Sequence, residues 1–207
     1  MRRLIHLLLS PASRLARLCI GEKRLACDVP IAEDPSLHLP VFVELDGTRC
    51  EGLWAIIDHL EGTYPERPLT PDDHLARAES LRWLDWAMGP FHEQVTQKIV
   101  YEKAAPRFTG SAVRRAPDMN VIRQGREALK PALAAIGKTA EQRGNLAERD
   151  CTLGDFAVAA EREERPQSLG RLLRAFGAHE AHDVEAFLES ACANPLARIR
   201  NRARHNW

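Results

Sequence analysis

Three prolines within seven residues, Pro65, Pro68 and Pro71, divide this chain into two parts of different character. Proline fixes φ and removes a backbone donor, so such a cluster forms a stiff, extended linker rather than a helix or a central strand. Before it, apolar residues come in short runs separated by turn signals. Beyond it, they recur every three or four residues over long stretches. The change of period predicts a small α/β domain over residues 1–68 and an all-helical domain over 72–207.

The first part can be read element by element. Leu4 to Leu9 is a nearly continuous apolar run, as in a strand covered on both faces. Ser10-Pro11-Ala12-Ser13 interrupts it, and Leu15, Leu18 and Cys19 then repeat at helical spacing up to Gly21. Leu25 to Ile31 reads as a second strand and Pro40 to Leu45 as a third, with Asp46-Gly47 turning the chain into Thr48 to Cys50. Ile56, Ile57 and Leu60 start a helix that ends before Tyr64.

In the second part Leu81, Leu84, Met88, Phe91, Val95 and Ile99 form one helical stripe, within which Pro90 predicts a kink. A further helix is expected from Met119 to Arg143, with Leu129, Leu133, Ile136 and Ala140 inward. Thr152-Leu153-Gly154-Asp155 is a capping box at the head of a buried helix. Phe187, Leu188, Cys192 and Leu196 precede a basic end, Arg198 to Arg204, which reads as a solvated tail before Trp207.

Composition excludes several classes. Lysine plus arginine and aspartate plus glutamate number 29 each, so no bulk charge draws nucleic acid or anionic lipid. No apolar run reaches the roughly 18 residues of a membrane span. The start, MRRLIHLLLS, resembles an export signal, but Arg14 and Arg17 follow its short apolar core at once, and a buried first strand is the better reading. Five cysteines without a Cys-x-x-Cys pair suit a reduced, cytoplasmic protein. His179 and His182 lack a third ligand, so no metal site is expected.

Two segments carry a family resemblance. LPVFVELDG…AIIDHLEGTYPERPL, over Leu39 to Leu69, resembles the end of the thioredoxin-like domain of glutathione transferases. The turn Ser10-Pro11-Ala12-Ser13-Arg14 is similar to that of the serine-type transferases, which implies Ser10 as the residue that activates the glutathione thiol. Read from the residues alone, both serines simply cap the helix. The resemblance also implies a cis bond at Leu39-Pro40, with Ser13, Leu39, Pro40 and Glu51 as the remaining glutathione contacts.

Two departures weaken that site. Only PIAEDPSLH separates the second strand from Leu39, too short for the helix and ligand loop usual in the superfamily. Where transferases hold the glutamyl carboxylate with a Glu-Ser pair, this chain has Gly52-Leu53 or, with a one-residue insertion, Glu51-Gly52. A lost charge-assisted hydrogen bond costs about 1.5–3 kcal/mol.

The second segment, FHEQVTQKIVYEK over Phe91 to Lys103, resembles the branch of the superfamily that binds the filament protein FtsZ in alphaproteobacterial division. TLGDFAVAA and DVEAFLESACANPLARI match the superfamily in order, whereas Glu161 to His182 matches neither group. The resemblance implies a weakly catalytic or non-catalytic, dimeric binding protein. His92, Thr96 and Tyr101 lie beside the core stripe, Lys98 pairs with Glu102 on the outer face, and His92, Thr96, Lys98 and Tyr101 are the candidate partner contacts. The basic tail offers a second contact with an acidic filament surface, Trp207 acting as an anchor. The alternative is a divergent transferase that uses Ser10.

Overall fold

A computed structural model describes residues 1–7, 9–34, 36–103, 116–147 and 151–161. The sequence features at His179, His182, Phe187, Leu188, Cys192, Leu196 and the basic end lie outside these residues. Strands β1 (Arg2–Ile5), β2 (Cys27–Asp28), β3 (Val41–Val43) and β4 (Arg49–Glu51) form one sheet in the order β2-β1-β3-β4. β2 runs parallel to β1, while β3 and β4 are antiparallel to their neighbours. Leu4, Phe42 and Cys50 stand in register across the sheet and point to the same side. There they meet Leu15 of α1 (Pro11–Glu22) and Ile56 and Leu60 of α2 (Leu53–Thr63) in the core.

Both expected early strands prove shorter, and the first is also displaced. The Leu4–Leu9 run pairs only as Arg2–Ile5, with an isolated bridge from His6 to Ile31. The strand period places Leu4 and His6 on the buried side; Leu7 is exposed, and its carbonyl already accepts the Ser10 N–H of the turn. Leu25–Ile31 contracts to Cys27–Asp28 for a similar reason. Helix α1 does not stop at Gly21: it ends in a left-handed Arg24, φ 57°, with Leu25 N–H bonded to Ile20 O and Arg24 N–H to Gly21 O. This is the Schellman arrangement, with an arginine where glycine is usual. Among the described residues no helix lies between β2 and β3, in keeping with the short PIAEDPSLH segment.

Beyond the prolines come α3 (His74–Trp86), α4 (Ala87–Tyr101), α5 (Met119–Arg143) and α6 (Leu153–Ala160). The core is continuous with that of the sheet. Leu84, Leu153, Phe156 and Ala157 join Leu4, Leu15 and Phe42 in one cluster. Glu61 ties the linker to both parts: its carboxylate accepts from Lys23 Nζ at 2.5 Å, Leu69 N–H at 3.0 Å and Thr70 Oγ1 at 3.0 Å. Leu69 O in turn accepts the Leu153 N–H.

Pro90 falls inside α4 and does not end it. Helix α4 instead widens to i→i+5 closure over its whole length. Pro90 has no N–H for the carbonyl four residues back, and its ring crowds that turn; a wider turn moves the carbonyl away. Leu84, Val95 and Ile99 of the stripe are buried, and Leu81, Met88 and Phe91 are partly so. Two close approaches set the helix packing. A Cβ on Gly125 of α5 would lie 2.7 Å from Ile99 Cγ1, and one on Gly154 of α6 would lie 2.6 Å from Ser80 O. The capping box forms as the sequence predicts, with the Asp155 carboxylate accepting the Thr152 N–H at 2.9 Å. Among the described residues no helix is long and apolar enough to cross a membrane, and no group of three acidic, histidine or cysteine side chains could hold a metal.

Candidate functional site

The strand–helix turn that begins the chain brings Leu9, Ser10 and Ser13 to the junction of the two parts. Ser10 is the N-cap of α1, its hydroxyl oxygen accepting the Ser13 N–H at 3.3 Å. Ser13 is fully buried and accepts the Leu7 N–H at 3.2 Å, so its hydroxyl holds the turn together from inside. That removes Ser13 from the residues able to touch a ligand. Ser10 is half-buried and keeps a hydroxyl hydrogen that can still be donated.

The remaining glutathione contacts expected from the sequence are only partly assembled. Leu39-Pro40 is cis, but the Leu39 N–H is already bonded to Leu37 O at 3.0 Å, and Pro40 O accepts the Gly52 N–H at 2.8 Å. A ligand backbone pairing with Leu39 must displace the first of these bonds. Glu51 is exposed and paired with Arg49 at 2.7 Å on the edge strand. Gly52, the N-cap of α2, has φ 82°, and the His38 ring covers it: a Cβ there would lie 2.9 Å from Cε1. A serine here would be strained by the positive φ, and the exposed His38 ring would have to shift to admit its Cβ.

Helix α4 carries the second constellation. His92, Thr96 and Tyr101 come together beside the core stripe, where they meet α6 and the first strand–helix turn. Thr96 is 2% exposed and donates its hydroxyl to Glu161 Oε2 at the end of α6. His92 Nδ1 is 3.4 Å from Glu161 Oε1, and its ring stands edge-on to Tyr101 at 5.4 Å. The Tyr101 hydroxyl donates to Leu9 O at 3.0 Å. Burial pushes the Tyr101 phenol above its ordinary pKa, with Glu161 adding to this and Arg14 opposing it. Arg14, itself buried, donates from Nε to Ala160 O. These side chains form an internal polar joint linking α4, α6 and the first turn.

Lys98 is directed elsewhere. It donates to Gln124 Oε1 at 3.3 Å, while Glu102 accepts the Asp118 N–H at 2.8 Å, so both turn towards the start of α5. Glu93, Gln94 and Gln97 are the exposed side chains of this helix segment. Nothing in the sequence singles out Glu161, which follows the apolar run of α6 as an ordinary solvated helix end would. Nor does it single out Trp83 and Trp86: Trp83 stands edge-on to Trp86 at 5.3 Å and Trp86 tilted to Phe91 at 5.0 Å, along a groove of about 300 Å³ against α5.

No protein-family model matches the chain. It is 38% identical over 178 residues to FtsZ-localized protein A of Caulobacter vibrioides (strain NA1000 / CB15N), an alignment covering 77% of this chain and 75% of that protein. Among solved structures, FzlA from C. crescentus superposes with a TM-score of 0.73 at 32% identity, covering 95% of this chain and 92% of that one. A glutathione S-transferase from Rhodospirillum rubrum F11 gives a TM-score of 0.74 at 32% identity, covering 92% and 88%. The sheet with its cis Leu39-Pro40, the helical second part and the extent of this likeness lead to one assignment: the chain belongs to the FtsZ-localized protein A family, built on the glutathione S-transferase fold.

Proposed function

We propose that this protein is a cytoplasmic, glutathione-transferase-like binding protein that associates with FtsZ filaments in cell division, as a homodimer. The observation that carries the reading is the 38% identity to FtsZ-localized protein A across three quarters of each chain. The site geometry is consistent with binding rather than thiol chemistry. Gly52 lies under His38, Leu39 N–H is occupied, and Ser13 is enclosed, so glutathione binds weakly. We place the boundary between the two folding units at residues 68–72. Lys98, with Glu93, Gln94 and Gln97 beside it, forms the outward contact on α4, while His92, Thr96 and Tyr101 hold that helix in place from within.

The test is co-sedimentation with polymerised FtsZ alongside a calorimetric titration with glutathione and a sedimentation measurement of the free protein. The reading requires pelleting with filaments, a glutathione dissociation constant weaker than low micromolar, and a dimer in solution. Failure to pellet refutes the filament reading. The alternative is a divergent transferase in which Ser10 activates the glutathione thiol, and the 32% identity to the R. rubrum transferase favours it. In that case Ser10→Ala removes most thiol-transfer activity while leaving the fold intact.

A further inference from the structure

The width of α4 decides which of its side chains can meet. In an α-helix each residue advances about 100°, so Tyr101, nine positions after His92, stands roughly half a turn away from it. A helix closed by i→i+5 bonds has roughly 4.4 residues per turn, and the same nine positions bring Tyr101 back to within about 20° of His92. Thr96 falls near the same line in either geometry. Only the wide form therefore lets Thr96 and His92 face Glu161 while Tyr101 reaches Leu9 O.

Runs of i→i+5 closure are normally a single turn, because the geometry is intrinsically less favourable than the α-helix. Fifteen residues of it need support from outside the helix. Here that support is a small set of polar contacts, and it is incomplete. Glu161 is 8% exposed, yet its Oε1 and the facing His92 Nδ1 both lack a hydrogen-bond partner. Buried polar atoms left in this condition offset part of what the other bonds contribute.

We infer that α4 is a two-state element: Glu161 and the Leu9 carbonyl act as a clamp on its wide form, and loss of the clamp lets the helix narrow. Narrowing turns Tyr101 away from the first strand–helix turn and rotates Glu93, Gln94, Gln97 and Lys98 relative to the body of the protein. The side chains offered to a partner then depend on a buried joint that no partner touches.

Hydrogen exchange of the full chain, read by mass spectrometry, tests this with two shape-preserving variants, Thr96→Val and Tyr101→Phe. Each removes one hydroxyl donor, from opposite ends of the clamp. Exchange across residues 92–101 should quicken about tenfold or more in both, with β1, β3 and the middle of α5 unchanged. Unchanged exchange in α4, acceleration in only one variant, or equal acceleration throughout the protein would each overturn the inference. The last outcome identifies bonds that contribute to overall stability without holding two states apart.

Discussion

Replacing Gly154 by alanine opposes two effects of known sign. Gly154 lies in α6, where alanine's higher helix propensity alone would stabilise by about 1 kcal/mol. The new methyl, however, would lie 2.6 Å from Ser80 O, 2.9 Å from Trp83 Cβ and 3.2 Å from Ser80 Cα. Two of these three are backbone atoms of α3 and cannot rotate away, so α6 must retreat. Overpacking of this kind costs about 1–3 kcal/mol. Retreat also stretches the buried bond from Gly154 N–H to Ser80 Oγ, now 3.0 Å, worth about 1 kcal/mol. The expected net loss is about 1–3 kcal/mol, a fall in Tm of roughly 3–10 °C for a chain of this size. Urea unfolding followed by circular dichroism measures it. Gly62→Ala is the control: Gly62 is in α2 with open space around its Cβ position, so propensity acts alone and stability should rise by about 0.5–1 kcal/mol. A Gly154→Ala protein as stable as the parent, or more so, refutes the close packing of α6 on α3.

Burial pushes the Glu61 carboxyl up, but bonds from Lys23, Leu69 N–H and Thr70 together outweigh it and hold the group below its ordinary pKa. The stabilisation it supplies is therefore present above the ordinary carboxylate pKa and lost as pH falls through the lower folded value. Glu61→Gln should destabilise by about 1–3 kcal/mol at pH 7, with the gap from the parent narrowing towards pH 3 in urea titrations; a gap independent of pH rules this out. Arg24→Gly should stabilise by about 0.5–1 kcal/mol, because glycine accepts the left-handed backbone that arginine resists; a loss of stability in the same assay contradicts the Schellman ending of α1. Ser10→Ala should cost about 1 kcal/mol through loss of the α1 cap, and unchanged thermal unfolding would show that the cap contributes nothing.

Much of the fold follows from local pattern. The apolar spacing of Ile56, Ile57 and Leu60, the Asp46-Gly47 turn, the Met119–Arg143 helix and the Thr152–Asp155 capping box all depend on residues close in sequence, and all form where the sequence puts them. Strand limits were less legible, because pairing decides them: Leu7 is as apolar as Leu4, but among the described residues no strand lies opposite it to continue the ladder. The end of α1 was misplaced because glycine marks a helix end only when nothing else closes it, and here Leu25 bonds back to Ile20 around Arg24. The candidate site was the least legible part. His92, Thr96 and Tyr101 were visible in sequence as a polar group beside a stripe, but their common direction depends on the width of α4. That width depends on Pro90 and on acceptors far away in the chain, Glu161 and Leu9 O. Short-range periodicity determined which segments are helices and strands. The tertiary structure alone decided which polar groups lost access to water, since burial is a property of the neighbours that fold over a residue and not of the residue itself.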